Sequence, residues 1–286
     1  MPDGERPLTF SCEGASLIGV LSGAGLAAGR GVLIVVGGPQ YRAGSHRQFT
    51  LLARHLGERG VPTLRFDYRG MGDSAGEART FEDAGADIGC AIDQFFASAP
   101  HLKEVVIWGL CDAASAALFY APRDSRVKGL VLLNPWVRTE QGLARTRLRS
   151  YYFQRLFQAS LWRKLARGEF KVREAAAAFG RSVSGAIGRG RPPGDGKNSR
   201  SGELPLPDRM EDALRRFRGR VLIILSGNDL TAKEFEAVVA HSSAWQLLLG
   251  DKRVTQYRLP EANHTFARRE WRDQVALWTE GWVKSL

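Results

Sequence analysis

The segment Gly31-Val-Leu-Ile-Val-Val36 offers no polar residue at either alternate position. A strand that is apolar at every position is buried on both faces, which is the situation of a strand inside a parallel sheet covered by helices. Further stretches that read as strands lie at Pro62–Phe66, Glu104–Trp108, Val127–Leu133, Arg220–Leu225 and Val254–Leu259. Helical spacing fills the gaps between them. Phe49, Leu52 and Leu56 share one face of Ser45–Arg59, with Ser45 as the expected cap. Ala84, Ile88, Ala91, Ile92 and Phe95 share one face of Phe81–Phe96. Further helices are expected over Asp112–Tyr120, from about Ala232, and over Phe266–Val283. Leu8–Cys12 and Ser16–Leu21 alternate around Glu13-Gly14 and read as a β-hairpin. Strand–helix alternation on buried runs predicts an α/β fold with a mostly parallel central sheet and helices on both faces. In such sheets ligands sit beyond the carboxyl ends of the strands, so chemistry is sought in the loop that follows each strand.

The alternation lapses for a middle stretch, dividing the chain into residues 1–136, an insertion over 137–218, and residues 219–286. The insertion reads as a helical lid. Leu143–Phe179 is helical in pattern and aromatic, carrying Tyr151, Tyr152, Phe153, Phe157, Trp162 and Phe170. Residues 182–207 are crowded with Gly, Pro, Ser and Arg and read as a loop. The chain's net charge of +11 is concentrated in this region. Arg138 to Arg220 holds 20 Lys+Arg against 8 Asp+Glu, or +12, which leaves −1 for the rest. A neutral remainder weighs against nucleic acid as a partner. No apolar run approaches the ~20 residues of a membrane span. The polar start, Met1-Pro-Asp-Gly-Glu-Arg, and three scattered cysteines fit a reducing, cytoplasmic setting without a disulfide framework, a metal site or a cofactor. The oligomeric state is not encoded in any pattern we recognise.

Trp108-Gly-Leu-Cys-Asp-Ala-Ala-Ser115 follows one expected strand and opens one expected helix. This is the setting of a nucleophile elbow, usually Gly-x-Ser-x-Gly, with Cys111 in the nucleophile position and Ala113 in place of the second glycine. A thiolate there is stabilised by the helix's unpaired N–H groups and its dipole. Asp229 follows the Arg220–Leu225 strand and His264 follows the last strand. The order nucleophile, acid, histidine gives a Cys111–His264–Asp229 triad, with His264 as base and Asp229 fixing the imidazole. An oxyanion hole needs backbone donors. Asp112 supplies one, and the glycine-rich loop Gly37-Gly-Pro-Gln-Tyr41 supplies the other. Pro39 has no N–H, which leaves Gln40 or Tyr41, with Gln40 favoured. Gly38, Tyr41 and Trp136 are expected to touch substrate. Cys12 and Cys90 lie inside expected elements and read as structural.

With Phe66-Asp-Tyr-Arg-Gly-Met-Gly-Asp-Ser74 added, the chain resembles the α/β-hydrolase superfamily along nearly its whole length. Arg69 and Asp73 are expected to brace that loop. Gly37–Phe49, Trp108–Ala116, Leu133–Glu140 and His264–Gln274 further resemble exosortase A system-associated hydrolase 1. That family is found in bacteria with exosortase sorting and exopolysaccharide gene clusters, so the resemblance implies a setting and no substrate. The expected activity is hydrolysis of an ester or thioester through an acyl-thioenzyme. The substrate is a small-molecule or lipid-like acyl compound. The lid aromatics either line an acyl pocket, with Trp136 at its entrance, or form the lid's own core. Arg145, Arg147, Arg149 and Arg155 either steer anionic substrates, dock on an anionic membrane or polysaccharide at the inner membrane, or form a solvated face. Rival readings are an acyltransferase using the same triad, and an inactive binding or membrane-surface accessory protein on the same fold.

Overall fold

The computed structural model describes residues 4–38, 40–137 and 204–286. The expected lid helix, its aromatics, Arg145, Arg147, Arg149 and Arg155, and most of the 182–207 loop lie outside the described residues. The described segments up to residue 137 and from Pro205 onward build one compact unit. The strands are β1 (Glu5–Cys12), β2 (Ala15–Ser22), β3 (Arg30–Val35), β4 (Thr63–Asp67), β5 (Glu104–Leu110), β6 (Val127–Leu133), β7 (Arg220–Ser226) and β8 (Val254–Leu259). They form one sheet in the order β1-β2-β4-β3-β5-β6-β7-β8. β1 and β2 pair antiparallel with each other, β2 pairs antiparallel with β4, and every other pair is parallel. The hairpin turns at Glu13 and Gly14, both at positive φ, which is the type I′ geometry that matches strand twist. This is the α/β-hydrolase sheet that the sequence patterns anticipate.

The fully apolar strands are sandwiched as their composition requires. Their inward residues divide alternately between two cores. On one face Leu33, Val35, Ile107, Leu130 and Ile223 meet α2 (Gly85–Ser98), α3 (Asp112–Tyr120), α4 (Leu206–Arg216), α5 (Leu230–His241) and α6 (Ser243–Leu249). On the other, Val32, Ile34, Val106, Val131 and Leu222 meet α1 (Gln48–Glu58) and α7 (Arg269–Lys284). Helix α4, which the sequence reading assigned to the insertion, contributes Met210, Ala213 and Leu214 to the first core. Its outward arginines are paired: Arg209 with Glu82, Arg215 with Glu211 and Arg216 with Asp212. Helix α1 begins at Gln48, and Ser45 does not cap it. Gly44, His46 and Arg47 all take positive φ, so the backbone turns left-handed just where the helix was expected to start. Among the described residues no helix is long and apolar enough to cross a membrane.

Two loops at the carboxyl ends of β3 and β4 are locked together by Asp67, which is fully buried. Its carboxylate accepts from the Arg42 N–H at 2.6 Å and the Asp73 N–H at 3.2 Å, and it pairs with the Arg42 guanidinium. Arg42 also reaches Asp73 at 2.6 Å. Arg69 forms a two-pronged ion pair with buried Asp87 of α2, at 2.9 Å on each prong. Gly72 makes room for this arrangement: it sits at φ 52°, and a Cβ there would overlap Asp67 Oδ2. Gly72→Ala is therefore expected to lower stability by about 2–4 kcal/mol, from backbone strain and displacement of a buried charge. Chemical denaturation measures this directly. A loss under about 0.5 kcal/mol, the size of a neutral surface change, would contradict the account of Asp67.

Candidate active site

Strand β5 runs into α3 through one residue, Cys111, at φ 64° and ψ −125°. An L-residue holds this conformation only when its neighbours over-determine it. Here the Cys111 N–H donates to the Leu133 carbonyl at 2.9 Å, and the Cys111 carbonyl accepts from Ala114 at 3.1 Å and from Trp136 at 3.2 Å. Ser115 then donates its hydroxyl to the Trp136 carbonyl at 2.7 Å. Gly109 is needed because the first turn of α3 lies over it: a Cβ would come within 2.6 Å of Ala113 backbone atoms. The thiol is consequently lifted from the strand to the N-terminal end of the helix. It is half-buried, whereas Cys12 lies within the core and Cys90 packs against that core. Burial and the neighbouring Cys90 push the Cys12 thiol up to about 12.

Asp229 directly follows β7 and caps α5. Its Oδ2 accepts from the Ala232 N–H and from His264 Nδ1, each at 3.0 Å. Burial works against the charged form of Asp229. The His264 hydrogen bond and charge, with the Ala232 and Thr231 N–H groups, outweigh it and hold the carboxyl below its usual range. An ionised carboxylate only accepts, so Nδ1 carries a proton and Nε2 is the ring atom open to proton exchange. The His264 pKa is raised to about 10, first by the Asp229 hydrogen bond and next by a hydrogen bond with the Cys111 side chain, against partial burial. The structure thus brings Asp229 onto His264 at 3.0 Å, with the Cys111 side chain near enough to raise the imidazole's pKa. That arrangement can carry a thiolate–imidazolium pair and shuttle one proton.

The remaining expected residues sit around this line. Gly38, at φ 57°, directs its N–H to the Asp112 carboxylate at 2.9 Å. Gln40 engages the same loop through its side chain, whose Oε1 accepts from the Ser45 N–H at 3.2 Å. Tyr41 is half-exposed, with the Arg42 guanidinium over its ring. Trp136 binds the elbow through its backbone, as described above.

Sequence reasoning missed Asn134, at φ 43° and fully buried. Its side-chain N–H₂ donates to the Ser226 hydroxyl at 2.7 Å and to the His264 carbonyl at 3.1 Å, and its Oδ1 accepts from the Ser226 N–H at 2.9 Å. One amide therefore ties the ends of β6 and β7 to the histidine loop. The available signal was a lone amide ending an apolar strand, just ahead of a proline.

The charges at this site set a pH dependence for stability. A histidine whose folded pKa is raised stabilises the fold fully below its unfolded value of about 6.5, and this contribution fades as pH climbs towards about 10. Asp229, with its pKa depressed, contributes above its ordinary value of 3.8 and loses that contribution as pH falls through its lower folded value. Stabilisation from the pair is therefore greatest between about pH 4 and 6.5. Denaturant titrations at pH 6 and pH 9.5 should show a larger loss for the wild type than for His264→Gln. Equal losses would contradict the pairing.

Comparison with known proteins agrees with this architecture. Residues 26–276 match the alpha/beta hydrolase family. No curated protein matches the sequence. Among solved structures, the fold is similar to the esterase Pf2001 of Pyrococcus furiosus, with TM-score 0.62 and 14% identity over 98% of this chain and 93% of that one. It is similar to Est1E of Butyrivibrio proteoclasticus, solved with ferulic acid, with TM-score 0.62 and 17% identity over 97% and 98% of the two chains. The alpha/beta hydrolase GrgF of a Penicillium species matches with TM-score 0.62 and 16% identity over 98% of each chain. Such identities carry the fold and no more, but the sequence match spans most of the chain, and the protein belongs to the alpha/beta hydrolase family.

Proposed function

We propose that this chain hydrolyses esters or thioesters with Cys111 as nucleophile, His264 as proton shuttle and Asp229 as its orienting acid. The observation that carries the proposal is the strained Cys111 elbow together with His264 held by Asp229 at its Nδ1. The Cys111 thiolate attacks the acyl carbonyl, forming the S–C bond and moving the C=O π pair onto oxygen. Backbone N–H groups of Asp112 and the Gly37–Tyr41 loop receive that oxyanion. Gly38 is the loop residue whose N–H points at the elbow. Collapse expels the alkoxide or thiolate, which takes its proton from His264. Neutral His264 then draws a proton from water, and the resulting hydroxide attacks the acyl-thioenzyme. A second collapse breaks the S–C bond and releases the carboxylic acid.

Thiolate is both a good nucleophile and a good leaving group, so activated acyl groups suit this site better than amides. Gly38 and Trp136 contact the elbow, and these two with Tyr41 are our candidates for substrate contact. The resemblance to exosortase A system-associated hydrolase 1 suggests a bacterial exopolysaccharide setting for the same chemistry.

Cys111→Ala is expected to lower kcat/KM on p-nitrophenyl esters and acyl thioesters by about 10³-fold or more, since loss of a nucleophile removes the covalent route. Iodoacetamide should alkylate Cys111 in the wild type, with Cys12 protected by burial. Equal turnover by the variant would remove the covalent reading.

A further inference from the structure

Two backbone donors beside the elbow already have an anion. The Asp112 carboxylate accepts from the Gly38 N–H at 2.9 Å through Oδ2 and from the Ala113 N–H at 3.0 Å through Oδ1. The cradle is shaped for this group: a Cβ on Gly37 would overlap Oδ1, so glycine is what leaves space for the carboxyl. Among the described residues no Lys, Arg or His forms an ion pair with it; His264 acts on it through space. Burial pushes the carboxyl towards its neutral form, and those N–H groups and the His264 charge oppose the shift. In elbow enzymes the oxyanion is received by the N–H after the nucleophile and an N–H from the loop after β3. In this chain those are the N–H groups of Asp112 and Gly38, and the carboxylate holds the second of them at 2.9 Å.

We propose that the Asp112 side chain is an internal stand-in for the oxyanion, which keeps the donors aligned in the empty enzyme and gates acylation by having to leave them. The inference rests on the acyl-transfer reading above. An oxyanion forming beside a seated carboxylate meets a like charge and finds its donors taken. Asp112 is only partly buried, so rotation of its side chain can free them. Asp112 therefore selects for acyl groups reactive enough to displace it. It is a gating residue and does not itself enter the covalent steps.

The test compares Asp112→Ala and Asp112→Asn with the wild type. Single-turnover acylation of Cys111 by p-nitrophenyl acetate is expected to rise about tenfold or more in Asp112→Ala, since one oxyanion donor is commonly worth 10²–10³-fold. Asp112→Asn keeps the shape and removes the charge, and should rise by a smaller factor. Alkylation by iodoacetamide, which forms no oxyanion, should stay within about twofold across all three, so that a general change in thiol reactivity is separated from the donor effect. Acetate, titrated by calorimetry, should bind Asp112→Ala in the vacated cradle and not the wild type. Slower acylation in Asp112→Ala, with rescue by Asp112→Asn, would make the carboxyl a brace for the loop and overturn the proposal. Acetate binding alike to wild type and variant, or to neither, would overturn it as well. A wild type whose Cys111 is never acylated would sink the acyl-transfer reading, whereas a reactive wild type with unchanged variants would sink this inference alone.

Discussion

Everything at the carboxyl edge of the sheet hangs on one strained residue. Cys111 takes φ 64° and ψ −125° because β5 must turn into α3 without a loop. The strain is held by hydrogen bonds from three places: Leu133 at the end of β6, Ala114 in the helix and Trp136 beyond β6. It also requires the absence of side chains at Gly109 and Gly37, which lie against the first turn of α3. A sheet of fully buried parallel strands makes such rigidity possible, since neither β5 nor β6 can shift without disturbing both cores. The thiol is thereby aimed outward by backbone geometry, with no contribution from loop plasticity.

The other members of the site are positioned by the same economy. Asp229 serves α5 as its N-cap and His264 as its partner through one oxygen, so helix start and imidazole orientation are fixed together. Asn134 binds Ser226 twice and the His264 carbonyl once, which couples the acid's strand to the histidine's loop. Asp67 does the equivalent on the other side, joining the loops after β3 and β4 through Arg42 and Asp73. Each of these polar groups is buried and satisfied several times over, the condition under which a buried polar network rigidifies a fold.

Much of this was legible in the sequence because it depends on pattern. Apolar runs announce the buried strands, as at β6, and helical spacing and strand pattern likewise put α3 and β8 on the expected residues. The order Cys111, Asp229, His264 was readable because each follows a strand. Backbone-driven features were not readable. The left-handed run at Gly44, His46 and Arg47 delays α1, and no propensity marks a histidine or arginine for positive φ. The Gly38 N–H bond to Asp112 was not readable, because the direction of an N–H depends on loop torsions, which residue type leaves open. The role of Asn134 emerges only when the ends of β6 and β7 and the histidine loop are brought together. Helix α4 was grouped with the basic insertion by composition, yet three apolar residues on one face place it in the core. The helix's three arginines are each paired, with Glu82, Glu211 and Asp212.

The central claim is covalent: an acyl group passes through sulfur at Cys111. Rapid acid quenching of the protein with an activated ester, followed by mass analysis of the peptide containing Cys111, tests it most directly. The account predicts a transient mass increase equal to the acyl group on Cys111, formed at the rate of the leaving-group burst. Steady turnover with Cys111 unmodified at every quench time, or with the acyl group on another residue, would contradict it.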